Sequence, residues 1–68
     1  MAWVAVDKEG TEKIGVNLTR EDYEWVDLFE VSEGEYYLEL ELPKGSIEKL
    51  IGRKLTWEDE PVELKGIR

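Results

Sequence analysis

Catalytic chemistry in this chain would depend on serine, threonine, lysine and carboxylate side chains, because its 68 residues include no cysteine and no histidine. The one suggestive pair is Ser46 with Lys49 three residues later, which is the S-x-x-K spacing of serine acyltransfer enzymes. A helix cap followed by a solvated lysine explains the same residues, and so short a chain has little room for a substrate cleft. We therefore predict no catalytic residue and a protein that is not an enzyme.

Metal binding would depend on carboxylates alone, since thiolate and imidazole ligands are missing. Glu58, Asp59 and Glu60 are consecutive, whereas a calcium loop spaces its ligands at alternate positions around a glycine. Glu39 and Glu41 share one face of a predicted strand, as solvated charges commonly do. We predict no metal site and no cofactor, and we interpret residues 58–60 as a solvated turn.

A basic group surrounds the predicted helix and has two interpretations. Its members are Lys44, Lys49, Arg53 and Lys54. Together with the backbone N–H groups of Gly45 and Ser46 they would form a weak anion site, or they would neutralise the acidic sheet and the helix C-terminus. Because the net charge of the chain is −8, we favour neutralisation and do not expect direct nucleic-acid binding.

The acidity is concentrated in the first part of the chain. Residues 1–42 carry 12 acidic and 3 basic side chains, whereas residues 43–68 carry 5 acidic and 6 basic ones. Such a field repels nucleic acid and anionic membranes, and it suits a basic partner or plain solubility. No apolar run approaches the length of a signal peptide or a membrane span, so we expect a cytoplasmic protein with no membrane partner.

Aromatic residues provide the other candidate for recognition. Seven of them exceed what so small a sheet needs to bury, so one or two of Trp25, Tyr37 and Trp57 are expected at the surface, where Tyr and Trp favour binding. Dense aromatic packing in a miniature core is the alternative. The candidate interaction surface comprises Trp25, Tyr37, Trp57, Glu39, Glu41, Glu58, Asp59 and Glu60.

Strand patterns dominate the chain. Residues 3–6 and 11–16 predict a hairpin around a turn at 7–10, residues 17–24 predict a loop, and residues 25–31 predict a further strand. After a turn at 32–35, residues 36–42 alternate with a period of two. The predicted core set there is Tyr36, Leu38, Leu40 and Leu42, and the predicted solvent set is Tyr37, Glu39 and Glu41.

One short helix near residues 46–51 follows Pro43. Ser46 is the predicted N-cap, and Gly52 is the predicted residue after the last turn. Ile47, Leu50 and Ile51 lie at i, i+3 and i+4, so we expect them in the core. Residues 53–57 and 62–64 predict two final strands. The sequence thus predicts a single domain over residues 1–68, mostly β (α+β), with a small antiparallel twisted sheet or partly open barrel of five to six strands; SH3-like and OB-like folds are compatible.

Two blocks of sequence carry a resemblance. LPKGSIEKLIGRKLTWEDEPVEL, residues 42–64, together with WVAVDKEGTE, residues 3–12, resembles a group of small proteins of unknown function from gut bacteria and their prophages. The match covers roughly half of the chain. It implies a bacterial or mobile-element context, and it implies no activity, cofactor or catalytic residue.

The function expected from these observations is that of a non-catalytic module that binds another protein, through its acidic sheet or exposed aromatics. A first alternative is a phage-encoded acidic inhibitor that imitates nucleic acid and occupies a basic groove of a host protein. A second alternative is a structural domain that binds itself by joining exposed sheet edges, which a small open β-protein must leave unpaired.

Overall fold

The structure is a computed structural model that describes residues 1–65, and this part of the chain contains eight short strands and one helix. The elements are β1 (Trp3–Val6), β2 (Glu12–Gly15), β3 (Thr19–Glu21), β4 (Glu24–Val26), β5 (Leu28–Val31), β6 (Gly34–Tyr37), β7 (Leu40–Leu42), α1 (Ser46–Ile51) and β8 (Val62–Glu63). Every strand pair is antiparallel. The predicted mostly-β, α+β fold with one short helix is confirmed, and the strands form three open sheets.

The central sheet has the strand order β7-β2-β1-β8. The predicted hairpin of β1 and β2 is confirmed, with Val4 opposite Ile14 and a turn in which Gly10 takes a φ of 101°. Glycine suits this turn because it adopts positive φ without a steric cost. On the other side of β1, Val62 of β8 faces Val4. β1 is therefore enclosed by a strand on each side, and Val4 and Ala5 are fully buried.

The hydrophobic core lies on one face of this sheet. Val4, Val6, Ile47 and Leu55 form its buried centre. The half-buried side chains around them are Ile14, Leu42, Ile51, Val62 and Leu64. Helix α1 covers this face through Ile47 and Ile51, which stand one turn apart, as predicted. The prediction for Leu50 is wrong: its side chain is 52% exposed, because a helix of six residues reaches the sheet along one narrow stripe.

The start of α1 differs from the prediction. Gly45, in the left-handed conformation with a φ of 92°, precedes the helix, and the Ser46 hydroxyl donates to the Pro43 carbonyl at 2.6 Å instead of capping. The carboxylate of Glu12 takes the capping role, because it accepts the N–H groups of Gly45 and Ile47. At the other end Gly52 follows the last turn with a φ of 82°, as predicted.

A second hairpin covers the opposite face of the central sheet, where the sequence predicted a loop at residues 17–24. β3 and β4 pair around Asp22 and Tyr23, whose φ values of 51° and 70° are those of a tight two-residue turn. The loop prediction is wrong because this turn lacks the glycine that marks it in a sequence. Contacts from the turn that follows β1 hold the hairpin instead: Lys8 N–H donates to the Tyr23 carbonyl, and Asp7 Oδ1 accepts the Trp25 N–H at 2.7 Å.

A buried ion pair joins the two layers. Lys13 Nζ lies 3.0 Å from Asp7 Oδ2, and both side chains are buried. Burial alone would lower the pKa of Lys13, but the hydrogen bond to Asp7 and the negative charges of Asp7, Glu24 and Glu39 raise that pKa above its ordinary value. Lys13 therefore stays charged inside the protein.

Two strands that were predicted to be continuous are interrupted. Residues 25–31 divide at Asp27 into β4 and β5, and residues 36–42 divide at positions 38–39 into β6 and β7. Since β6 pairs with β5 and β7 pairs with β2, the alternating residues face no common layer. The predicted core set is accordingly wrong for Tyr36, Leu38 and Leu40, which are exposed, while Leu42 is half-buried against the core.

The structure also differs from the prediction that residues 53–57 and 62–64 form two strands. Residues 53–57 contain no strand, although Leu55 is buried in the core. β8 pairs with β1, and the Leu64 N–H extends the pairing by donating to the Ala2 carbonyl. The segment after the helix thus closes the core with a side chain rather than with a strand.

Candidate interaction surface

The β5–β6 hairpin, which we call the arm, forms a sheet of its own. We call the rest of the described chain, with the central sheet, the β3–β4 hairpin and α1, the body. The two strands of the arm pair only with each other, and all of their residues are exposed except the half-buried Leu28. A two-stranded hairpin with no covering layer is at best marginally stable in water. The arm is therefore the part of the described chain that stands to gain most from contact with another molecule.

Residues 27 and 38–39 join the arm to the body, and we call this junction the neck. It is held by hydrogen bonds. The buried carboxylate of Asp27 accepts the N–H groups of Val16 and Asn17, at 3.0 and 3.3 Å. Asp27 N–H donates to Glu39 Oε1 at 2.8 Å, and the Asp27 carbonyl accepts the Leu38 N–H at 2.8 Å. Because the backbone groups of this junction are satisfied on the body side, the arm leaves the body in a defined direction.

One face of the arm is apolar. Phe29 is opposite Tyr36, and Val31 is opposite Gly34, so the alternation of a strand puts Phe29, Val31 and Tyr36 on the same side. Leu38 continues this side, since its N–H extends the ladder to Asp27. Phe29, Val31, Tyr36 and Leu38 are 50%, 37%, 50% and 52% exposed, and we call them the apolar face.

The other face of the arm is acidic. Glu30 is directly opposite Glu35, and their like charges oppose each other across the two strands. The hydrogen bond that the Glu35 carboxyl group forms with Glu30, followed by the charge of Glu30, raises the pKa of Glu35. Next to this pair, the charge of Glu21 is the largest of the effects that raise the pKa of Tyr37. The arm thus separates apolar and acidic side chains onto opposite faces.

The three candidate aromatics lie in different environments. Tyr37 is 53% exposed on the acidic face. Trp25 is buried against the central sheet and is not one of the exposed aromatics. Trp57 is half-buried and meets Trp25 edge-to-face, with ring centres 5.9 Å apart. The Arg20 guanidinium lies 4.6 and 4.8 Å from the centres of these two indole rings, which gives the tryptophans a structural role.

The acidic candidates are partly occupied by internal contacts. Glu60 forms an ion pair with Arg20 at 3.0 Å, and Asp59 Oδ2 accepts the Thr56 N–H at 2.8 Å, so the predicted turn at residues 58–60 is tethered to β3. Glu39 belongs to the neck. Of the five acidic candidates, Glu41 and Glu58 make no side-chain hydrogen bond or ion pair with any residue in 1–65, and both are exposed.

Two members of the basic group meet at one cavity. Lys44 and Lys54 line a cavity of about 320 Å³ together with Glu12 and Glu48. Both oxygens of the Glu12 carboxylate are already bonded to the start of α1. Two lysines balanced by two glutamates supply no concentrated positive charge, so this cavity does not define an anion site.

Three other possible features receive no support from residues 1–65. No set of three or more acidic side chains within residues 1–65 is arranged to hold a metal ion. Helix α1, the one helix within residues 1–65, has six residues and is too short to span a bilayer. The Ser46 hydroxyl, the one nucleophile considered above, donates its hydrogen to the Pro43 carbonyl.

Comparison of the chain with known protein families, with curated proteins and with solved structures finds no match. Function is therefore argued from the geometry of the chain. The feature that the sequence reasoning missed is the apolar face. Its signal in the sequence is the alternation of residues 36–42, which predicts that Tyr36 and Leu38 share a face of a strand. Alternation shows two faces without showing which one is covered, so the sequence alone favours the core for this face.

Proposed function

We propose that this protein is a non-catalytic protein-interaction module and that the arm is its binding element. The observation that carries the proposal is the apolar face, on which Phe29, Val31, Tyr36 and Leu38 are exposed side by side. Scattered exposed apolar residues are normal on a protein surface, but contiguous apolar patches mark sites of association. Two of the four are aromatic, and aromatic residues are enriched at the centres of protein interfaces.

The arm also has the geometry that binding requires. Its neck is fixed by the hydrogen bonds of Asp27 and Glu39, so little order has to be gained when a partner arrives. Its side chains contribute little to the core of the body, which is centred on Val4 and Ile47. Binding through the arm therefore leaves the rest of the fold undisturbed.

The experiment that tests this proposal is affinity capture from a bacterial lysate with three forms of the tagged protein. The Phe29→Thr/Tyr36→Thr variant removes the aromatic part of the apolar face but keeps residues that favour strands. Leu50→Gln is the matched control, because Leu50 is equally exposed but lies on α1. We expect proteins captured by the wild type to be lost with the arm variant and retained with the control.

Capture that is the same with all three forms would contradict the proposal, as would loss with the Leu50→Gln control alone. Circular dichroism and urea unfolding of each form establish that the body remains folded. The arm makes few contacts with the body, so unfolding of the core on replacement of Phe29 and Tyr36 is not expected.

A second candidate function is the imitation of nucleic-acid phosphates toward a basic protein. It is supported by like charges that face each other in two hairpins, Glu30 with Glu35 in the arm and Glu21 with Glu24 between β3 and β4. Such pairs are unfavourable in the free protein and would be relieved by a cationic partner. Salt separates the two candidates: partners of the acidic face are released in strong salt and by Glu21→Gln/Glu30→Gln/Glu35→Gln, whereas partners of the apolar face remain bound.

The cellular setting belongs to the same proposal. We propose a cytoplasmic protein of a bacterium or prophage, supported by the cysteine-free sequence and by the resemblance of residues 42–64 to small gut-bacterial and prophage proteins. Fractionation of cells that carry the native gene tests this, and recovery of the protein from the extracellular medium would contradict it.

A further inference from the structure

We infer that the outer edge of β6 pairs with an extended segment of a partner protein in which basic and apolar residues alternate. The inference rests on the proposed function, because it names the chemistry of the partner that the arm binds. The free backbone groups of the hairpin, the residues along its edge and the charge on each of its faces carry this inference.

Both outer edges of the arm are unpaired. β5 and β6 pair with each other and with no other strand in residues 1–65. The edge of a sheet presents a row of free N–H and C=O groups, and addition of a strand from another chain is a common mode of peptide recognition. A third strand also brings a hairpin to the size at which a small sheet becomes stable. Pairing with a partner strand would therefore stabilise the arm.

The hydrogen bond from the Leu38 N–H to the Asp27 carbonyl shows which backbone groups of β6 are free. Opposed residues of an antiparallel pair alternate between hydrogen-bonded and non-hydrogen-bonded positions. Asp27 and Leu38 form a bonded pair, so Tyr36, two residues away, also directs its backbone groups toward β5. Glu35 and Tyr37 direct theirs outward. These two residues therefore supply the free donors and acceptors of the β6 edge.

The residues along this edge define the sequence of the partner. A residue of an added strand points its side chain to the same face as the residue that it stands opposite. Positions opposite Glu35 and Tyr37 therefore lie on the acidic face of the arm, and the position between them lies beside Tyr36 on the apolar face. The complementary sequence is basic–apolar–basic, with lysine or arginine at the outer positions.

Negative charge is concentrated beside the edge of β6. A cavity of about 320 Å³ lies between Tyr37 and the β3–β4 hairpin, and it is lined by Glu21, Asp22, Glu24, Val26, Tyr37 and Glu39. The charge of Glu21 is also the largest cause of the raised pKa of Tyr37. A basic side chain opposite Tyr37 points to this side of the arm. Since clefts lined by one sign of charge focus the electrostatic field, the cavity favours a cation there.

The same charge discriminates against further copies of this chain. A second β6 at this edge would bring another Glu35 close to the first, and both chains carry a net charge of −8. Like charges on adjacent strands are unfavourable, whereas opposite charges stabilise the pairing. The edge thus repels its own copies and attracts a basic strand, which is how specificity between strand partners arises.

Synthetic peptides test the inference. The probe is a short peptide in which lysine and valine alternate, and the control peptide has the same composition with its lysines consecutive. We expect the alternating peptide to bind the wild-type protein at least about fivefold more tightly, because it alone puts every lysine on one face of a strand. Equal affinities, or no binding at about 1 mM peptide, where weak complexes form, would overturn the inference.

Proline variants locate the edge. Glu35→Pro removes the free N–H of β6, and Glu30→Pro removes the corresponding group of β5; both variants lose one carboxylate of the same opposed pair. Neither removes a hydrogen bond within the arm, because both N–H groups point outward. We expect Glu35→Pro to weaken binding of the alternating peptide about fivefold more than Glu30→Pro, as loss of a backbone hydrogen bond would. Equal losses would contradict the assignment to β6.

Hydrogen exchange of the wild-type protein detects the pairing without any substitution. The N–H groups of Glu35, Tyr37 and Glu30 should exchange rapidly in the free protein, since all three point away from the ladder. Saturation with the alternating peptide should slow exchange at Glu35 and Tyr37 and leave Glu30 unchanged. Binding without protection at Glu35 and Tyr37 would show that charge alone holds the peptide, and it would overturn the inference.

Failure of the inference can be distinguished from failure of the proposed function. If the alternating peptide does not bind but capture of proteins from the lysate still depends on Phe29 and Tyr36, the proposed function stands and the edge of β6 is not its site. If capture is the same with the Phe29→Thr/Tyr36→Thr variant, the arm is not the binding element, and the proposed function fails whatever the peptide does.

Discussion

Glu12 and Ile47 are joined across the fold, because the carboxylate of Glu12 on β2 accepts the backbone N–H of Ile47 at 2.8 Å. The other carboxylate oxygen accepts the Gly45 N–H at 2.7 Å. A side chain from the sheet thus performs the capping that a residue of the helix usually performs. This contact ties α1, the cover of the core, directly to the central sheet.

Replacement of Glu12 by alanine should lower the free energy of unfolding by about 1–2 kcal/mol, the usual cost of a lost helix cap. Glu9→Ala is the matched control, since Glu9 is exposed in the neighbouring turn. Urea unfolding followed by circular dichroism measures both variants. Equal stabilities of the two would show that the cap contributes nothing.

Disruption of the buried ion pair of Asp7 and Lys13 should destabilise the protein more than loss of the Glu12 cap. Lys13→Met leaves the Asp7 carboxylate buried without its cation, and loss of one partner of such a pair typically costs about 3–5 kcal/mol. Asp7→Asn/Lys13→Met removes both charges and keeps an oxygen for the Trp25 N–H, so it should be more stable than Lys13→Met alone. Thermal unfolding ranks the variants, with the exposed Lys44→Met as control; a double variant that is less stable than Lys13→Met would contradict this account.

Alkaline pH should remove part of this stability. The pKa of Lys13 is raised above the ordinary value of 10.5 in the folded protein. Its contribution is therefore complete below the unfolded pKa and is lost as the pH rises through the higher folded pKa. We expect the difference in stability between the wild type and Lys13→Met to be constant at neutral pH and to shrink above pH 10.5. A difference that stays constant at alkaline pH would refute the assignment.

On the arm, Glu30→Gln should lower the pKa of Glu35 toward its ordinary value, because the hydrogen bond and the charge of Glu30 are what raise it most. A raised carboxyl pKa in the folded state means that repulsion opposes folding at neutral pH and is relieved as pH falls through that pKa. Carbon NMR of the Glu35 carboxyl group during an acid titration measures the shift. Glu33→Gln, in the exposed turn, should change it less.

The contact of Arg20 with two indole rings predicts that Arg20→Lys destabilises the protein. Arg20 Nη2 donates to the Trp57 carbonyl at 2.7 Å while the guanidinium lies over Trp25 and Trp57, and an ammonium group does not reproduce that planar contact. We expect a loss of about 1 kcal/mol, typical of partly exposed cation–π contacts. Tryptophan fluorescence during urea unfolding checks this, with the exposed Arg53→Lys as control.

Features set by local chemistry could be predicted from the sequence. The first hairpin, with Gly10 in its turn, follows from strand-forming residues on both sides of a position that requires positive φ. The span of α1 follows in the same way from its apolar spacing and from Gly52, a residue that readily adopts the left-handed conformation after a helix. These features depend on residues that are close in the chain.

The candidate site was predicted less well, because exposure depends on distant residues. Trp25 has the composition of a binding residue, yet β1 and Trp57 bury it. Tyr37 was correctly expected at the surface, whereas Tyr36, its neighbour, was expected in the core. A period of two distinguishes the faces of a strand, but it does not specify which face another layer will cover.

Composition and local residue patterns define the class of this protein: a small, acidic, mostly β chain with one short helix and no thiol or imidazole chemistry. The capping of α1 by Glu12 and the burial of Lys13 with Asp7 depend on tertiary contacts, as does the change of strand partners at Asp27 and at positions 38–39. The difference lies in the distance along the chain over which each effect acts. Turn and helix propensities act within a few residues, whereas capping across the sheet, burial of charge and exposure of the arm depend on groups up to dozens of positions away.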